Sequence, residues 1–152
     1  MLKFQNNGKE IIKNKVMTQE DKELLLKDLC ARLSYGVKGI ITYDDDKNIF
    51  TIKGIFNILF LSDTECCHIE DFKPYLRPMS SMTEEEKKEI SILLNYEFYI
   101  DDDYALVAED NRHRIRLDLM QIYIDYLNAH HFDYCGLIER GLALEATEGM
   151  YN

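Results

Sequence analysis

No apolar stretch in this sequence is long enough to cross a bilayer. The longest runs from Ile55 to Leu61 and is interrupted by Asn57, whereas a spanning helix needs roughly 20 such residues. The N-terminal segment MLKFQNNGKEIIKNK has lysines but neither an apolar centre nor a small-residue cleavage site, so it is not a secretory signal and a cytoplasmic protein is expected. Cysteine is scarce and scattered. Cys30, Cys66, Cys67 and Cys135 form no disulfide framework, two of them being adjacent, and reduced thiols are expected. Glycine-rich phosphate loops are missing too. Gly36 and Gly39 lack the required spacing and no Gly-Lys-Ser/Thr follows, which excludes nucleotide hydrolysis of the P-loop type. Ser80 and Ser81 lie between Pro78 and a helix start, without the Gly-x-Ser-x-Gly elbow of an exposed nucleophile, and are expected to cap that helix beside Thr83.

Positive charge is also in short supply. The 18 lysines and arginines face 28 aspartates and glutamates, a net charge of -10. Residues 1–16 hold Lys3, Lys9, Lys13 and Lys15 against Glu10, which deepens the charge of the remainder to -13. Such an excess repels phosphate backbones and argues against a general nucleic-acid binder.

What the sequence does contain suffices for one ordinary domain with a hydrophobic core: 152 residues, 10 tyrosines and 7 phenylalanines. Organisation begins at Met17. Residues 1–16 read as a basic leader outside the fold, and residues 17–152 as one globular domain. Thr18 is an N-cap with Asp21 at capping-box spacing, and Leu24, Leu25, Leu29 and Leu33 predict a helix over 19–33. Residues 38–43 and 49–53 predict a hairpin around a polar turn at 44–48, followed by strands at 56–61 and 66–69. Pro74 and Pro78 exclude regular helix or central strand from Asp71 to Pro78, leaving a structured connection. A second capping box, Thr83 with Glu86, opens a helix to Asn95 with Ile90, Leu93 and Leu94 inward. Phe98 to Ile100 fits either a strand or a buried loop. Residues 104–108 and 112–117 predict a second hairpin, Asp118 caps a helix to His130, and the tail holds turns with one strand at 142–145. The expected fold is α+β: a small antiparallel or mixed sheet built from hairpins, with about three helices in one layer on it.

Several constellations invite a chemical reading. Cys66, Cys67 and His68 contain metal-ligand types, but neighbouring strand residues point to opposite faces and do not converge on one ion. His130 and His131 follow a helix, where the dipole suits them, and with His113 they are the weak metal candidates; no metal or other cofactor is expected. Of the two acidic triplets, Asp44 to Asp46 fails the calcium-loop register, which would need Gly at Ile49 and Glu at Ile55, so both that triplet and Asp101 to Asp103 are assigned to solvated turns. Arg112, Arg114 and Arg116 place three cations on one strand face. They either pair with acidic neighbours across the hairpin or form a patch for a ligand or partner. No catalytic residue is assigned.

The segments QEDKELLLKDLCARL, FKPYLRPMSSMTEEE and HHFDYCGLIERGLALEATEGMYN resemble a group of small uncharacterised proteins from gut Bacteroides and their phages or prophages. This chain departs from their pattern at Ser34 and Thr147, where proline is expected, and at Cys135, where arginine is expected. The resemblance implies a mobile-element setting and supplies no catalytic residue. Together with the acidic charge it suggests a non-enzymatic accessory protein acting on a host or phage protein. The alternatives are an acidic inhibitor that imitates nucleic acid, and a module that binds small anions through the arginine stripe.

Overall fold

The computed structural model describes residues 17–43, 46–52, 68–96, 98–108 and 117–151; for 42–43 and 46–52 it describes the backbone alone. The expected leader, the strand at 56–61, Cys66, Cys67, and the segment with Arg112, His113, Arg114 and Arg116 lie outside the described residues; of the strand expected at 66–69, His68 and Ile69 are described, and they open a 3-10 turn over Ile69–Asp71 instead of a strand. Among those described, three helices and six strands make a small α+β fold with one mixed and one antiparallel sheet.

Helix α1 (Gln19–Ala31) begins where the sequence predicts. The Thr18 hydroxyl accepts from the Asp21 N–H at 3.1 Å and donates to the Asp21 carboxylate at 2.8 Å, using one of the N–H groups that a helix start leaves unpaired. Leu25 and Leu29 are fully buried. Strands β1 (Val37–Tyr43) and β2 (Asp46–Ile52) pair antiparallel, as the hairpin pattern predicts. The ladder runs on to Tyr43 and Asp46, so β2 takes in Asp46, Lys47 and Asn48, which the sequence assigns to the turn. Among the described residues β2 lies at the sheet edge, where polar residues are well tolerated.

Strand β3 (Phe72–Leu76) corrects the expectation drawn from the prolines. It pairs antiparallel with β1 on one side and parallel with β6 (Leu144–Glu145) on the other, giving the order β2, β1, β3, β6. The β1 ladder covers Phe72, Lys73 and Pro74, and the β6 ladder takes over at Tyr75 and Leu76. Pro74 stands where one ladder stops and before the other starts, which is where a residue without an N–H is compatible with a strand. Opposite it, Gly39 leaves room for the Phe72 ring: a Cβ there would lie 2.2 Å from Cζ of Phe72.

Helix α2 (Glu84–Leu93) has the predicted capping box, Thr83 Oγ1 accepting from the Glu86 N–H at 3.2 Å and Glu86 accepting from the Thr83 N–H at 2.9 Å. Ile90 and Leu94 are fully buried, but Leu93 is exposed, because the buried face is centred between residues four apart and Leu93 falls on its shoulder. Ser81 does not cap α2. Its hydroxyl donates to the Pro78 carbonyl at 2.8 Å, closing a 3-10 turn over Met79–Ser81.

Strand β4 (Phe98–Ile100) pairs with β5 (Leu106–Ala108). The partner that the sequence predicts for 104–108, the strand at 112–117, lies outside the described residues up to residue 116. The local cause of the β4–β5 pairing is Asp101, whose carboxylate accepts from the Asp103 and Ala105 N–H groups at 3.0 and 2.8 Å and folds the intervening turn. Helix α3 (Leu117–Ala129) starts a residue before Asp118, which sits in its first turn.

Two apolar clusters result. One joins Leu25 and Leu29 of α1 to Val37, Ile41, Phe72, Leu76, Leu137 and Leu142. The other joins Ile90 and Leu94 of α2 to Phe98, Ile100, Leu119, Tyr123, Leu127 and Phe132. The chain leaving α3 ties them together: the Arg77 N–H donates to the His131 carbonyl at 2.8 Å, and the Asp133 N–H donates to the Arg77 carbonyl at 2.7 Å.

Candidate functional site

The end of α3 decides where the two histidines go. The Phe132 N–H reaches back to the Leu127 carbonyl at 2.9 Å and the His131 N–H to Asn128 at 3.2 Å, a Schellman motif with His131 in the left-handed position at φ 60°. His130 and His131 therefore diverge. His130 remains half-exposed, with its ring stacked on Tyr126 at 4.0 Å between centroids. His131 turns inward, is 4% exposed, and stacks on Tyr151 at 3.7 Å.

Between the end of β3, the start of α2, the end of α3 and the C-terminal segment lies a cleft of about 800 Å³. Arg77 anchors its floor. The guanidinium lies 4.2 Å from the Phe132 ring centroid, donates to both Glu86 carboxylate oxygens at 2.7 and 3.0 Å, and reaches the Ser81 carbonyl at 3.2 Å. Burial opposes the charge on Glu86, but the bonds from Arg77 and Thr83 outweigh it and hold the carboxyl below its ordinary range.

The opposite wall is the segment from Glu145 to Tyr151. It is fixed by Tyr151, whose hydroxyl donates to the Tyr75 carbonyl at 2.6 Å and accepts from the Lys38 N–H at 3.0 Å. Burial pushes the Tyr151 phenol up to about 12. The Lys38 ammonium donates to the Met150 carbonyl and lies 5.6 Å from the Tyr151 ring centroid. Glu145 and Glu148 project from this wall, exposed and without an ion pair among the described residues.

His130 Nδ1 stands 3.8 Å from the Glu86 carboxylate, too far for a hydrogen bond. Glu86 is already occupied by Arg77 and Thr83, and the Ser81 hydroxyl by Pro78. Among the described residues the cleft thus pairs no hydroxyl with a base at bonding distance. What it offers is a cavity of mixed polarity whose lining arginine is neutralised while two carboxylates are not.

No protein-family model matches the chain, and no curated protein or solved structure matches it either.

Of the residues singled out in the sequence, His130 lines the cleft and His131 lies behind its wall, while His113 and the three arginines fall outside the described residues. No group of three His, Cys, Asp or Glu among the described residues could hold a metal ion. Arg77, Glu145, Glu148 and Tyr151 carried no sequence signal of a shared site. Glu86 did carry one, its capping-box spacing, but that signal announced a helix start.

Proposed function

We propose that this protein is a non-enzymatic accessory protein that binds another protein, and that the cleft receives a basic segment of that partner. One observation carries the reading. Arg77 is neutralised by Glu86, whereas Glu145 and Glu148 on the facing wall have no ion-pair partner among the described residues. A lysine or arginine entering there gains charge-assisted hydrogen bonds and displaces no internal pair. The cavity of about 800 Å³ is of the size that encloses side chains and small ligands. The overall charge of -10 would speed the approach of a cationic partner. The likeness to Bacteroides and phage proteins supports a host or phage protein as that partner.

The test is a panel of short peptides read by fluorescence anisotropy at low and moderate salt. Lysine- and arginine-bearing peptides should bind, acidic ones should not, and the combined Glu145→Lys and Glu148→Lys substitutions should weaken binding at least ~10-fold, as expected when like charges oppose each other in an interface. Unchanged affinity after this reversal would exclude the cleft.

A further inference from the structure

We infer that an apolar groove between α2 and α3 continues the cleft and receives an amphipathic, cationic helix of the partner. The two helices run antiparallel, side by side. His130 Nδ1 lies 3.8 Å from the Glu86 carboxylate, and about one turn along α2 the Tyr126 hydroxyl donates to Glu89 at 2.9 Å. Residues four apart share a helix face, so one more turn in the same direction sets Leu93 of α2 and Ile122 of α3 on the two sides of the groove. Both are open to solvent, at 51% and 37% exposure, and Tyr96 at the far end is 60% exposed. The floor is already filled. Ile90 and Leu94 pack there with Leu119 and Tyr123 in one buried cluster.

A strained backbone presents Tyr96. Asn95 and Tyr96 both take left-handed φ, 54° and 59°, while the Tyr96 N–H donates to the Ser91 carbonyl at 2.8 Å. That conformation is unusual for a bulky residue, and such strain concentrates at binding sites. Charge selects the occupant. Four glutamates and two lysines on α2, with two aspartates and no cation on α3, give the walls a net charge of -4. A second copy of this chain, itself at -10, meets that surface with like charge. An apolar stripe flanked by lysine or arginine instead meets the exposed carboxylates Glu85, Glu89 and Asp125. The rise from Glu86 to Leu93 is about 10 Å, two turns of helix, which suits a docking helix with anchors at i, i+4 and i+7. Glu86 and His130 also line the cleft, so the groove opens into it. One helix thus lays its apolar stripe in the groove while its basic end reaches Glu145 and Glu148, an arrangement that rests on the cleft receiving a basic segment.

Two helical peptides test this against the full chain by fluorescence anisotropy: one with leucines at i, i+4 and i+7, flanking lysines and a lysine-rich end, the other with the leucines replaced by serines. The combined Leu93→Ser and Ile122→Ser substitutions, at exposed positions and checked by thermal unfolding, should weaken the leucine peptide about 10-fold and leave the weaker binding of the serine peptide unchanged. In the unmodified protein, the leucine peptide should shift the Leu93 and Ile122 methyl resonances and the serine peptide should not. If the leucine peptide binds both proteins alike and moves neither methyl, while Glu145→Lys with Glu148→Lys weakens both peptides, the groove is overturned and the cleft reading stands. Charge reversal without effect on either peptide overturns the cleft reading and the joint occupancy with it. Self-association of the parent that the serine substitutions abolish would assign the groove to a second copy. Cross-peaks in the free protein from the two methyls to residues 53–67 or 109–116 would assign it to the chain itself, and either result overturns the inference.

Discussion

Arg77 and Glu86 meet through two hydrogen bonds of 2.7 and 3.0 Å, and this pair fixes the end of β3 against the start of α2. Their side chains keep 23% and 15% exposure, so solvent moderates the pair and its loss should cost less than the ~3–5 kcal/mol of a fully buried one. Arg77→Met is expected to destabilise the protein by about 1–3 kcal/mol in urea unfolding. The Glu86 carboxyl is held below 4.5, so its contribution is complete above that pH and is lost as the pH falls through the lower folded value. The variant should therefore lose less stability than the parent between pH 4.5 and acid unfolding.

His131 supplies a second pH dependence at a different place. Its imidazole is held down to about 4, against 6.5 for an ordinary histidine, by burial and by the nearby Arg32 charge. The unfolded chain binds a proton in that interval and the folded protein does not, so stability should rise with pH from about 4 to 6.5 and level off above. His131→Asn, whose side chain suits a positive φ, should flatten that slope in thermal unfolding measured across the window.

The Asp28 and Arg32 pair is wholly buried, joining the last turn of α1 to the residue that caps its end. Removing Asp28 alone strands a charge in the core, and Asp28→Ala should cost about 3–5 kcal/mol. Replacing both, as Asp28→Leu with Arg32→Met, should cost clearly less than the sum of the single changes. A double-mutant cycle by chemical denaturation checks the difference.

Gly39→Ala tests the close approach of β1 to β3. The added carbon would sit 2.2 and 2.4 Å from the Phe72 ring and 2.7 Å from the Lys73 carbonyl oxygen. The ring has a packed core around it and the carbonyl belongs to the ladder, so neither yields easily. A loss of about 1–3 kcal/mol is expected, together with broadened amide resonances on β1 and β3.

The parts of the fold that were legible in the sequence are those governed by neighbours along the chain. Thr18 and Thr83 announced their helices because a cap is satisfied within a few residues, and the alternation after Val37 announced β1 and β2. Strand β3 was hidden because Pro74 is tolerable only through a shift of partners from β1 to β6, and nothing near Pro74 encodes where β6 lies. The cleft was hidden for the same reason. Arg77 and Glu86 belong to different elements, and the carboxylates facing them come from a tail that read as turns with one short strand. Arg32 and His131 look like surface residues by composition; only the tertiary fold makes them interior.

The change of partners along β3 also sets an order of events. Its pairing with β1 spans 31 to 35 positions and that of β1 with β2 at most 15, whereas Tyr75 must wait for Leu144, 69 positions further on. Contacts of such sequence separation form late, because a long loop must close before they return any energy. The acidic wall of the cleft exists only after that closure. A chain still folding therefore lacks that acidic wall, and under the proposed function competence to bind would arrive with the last strand.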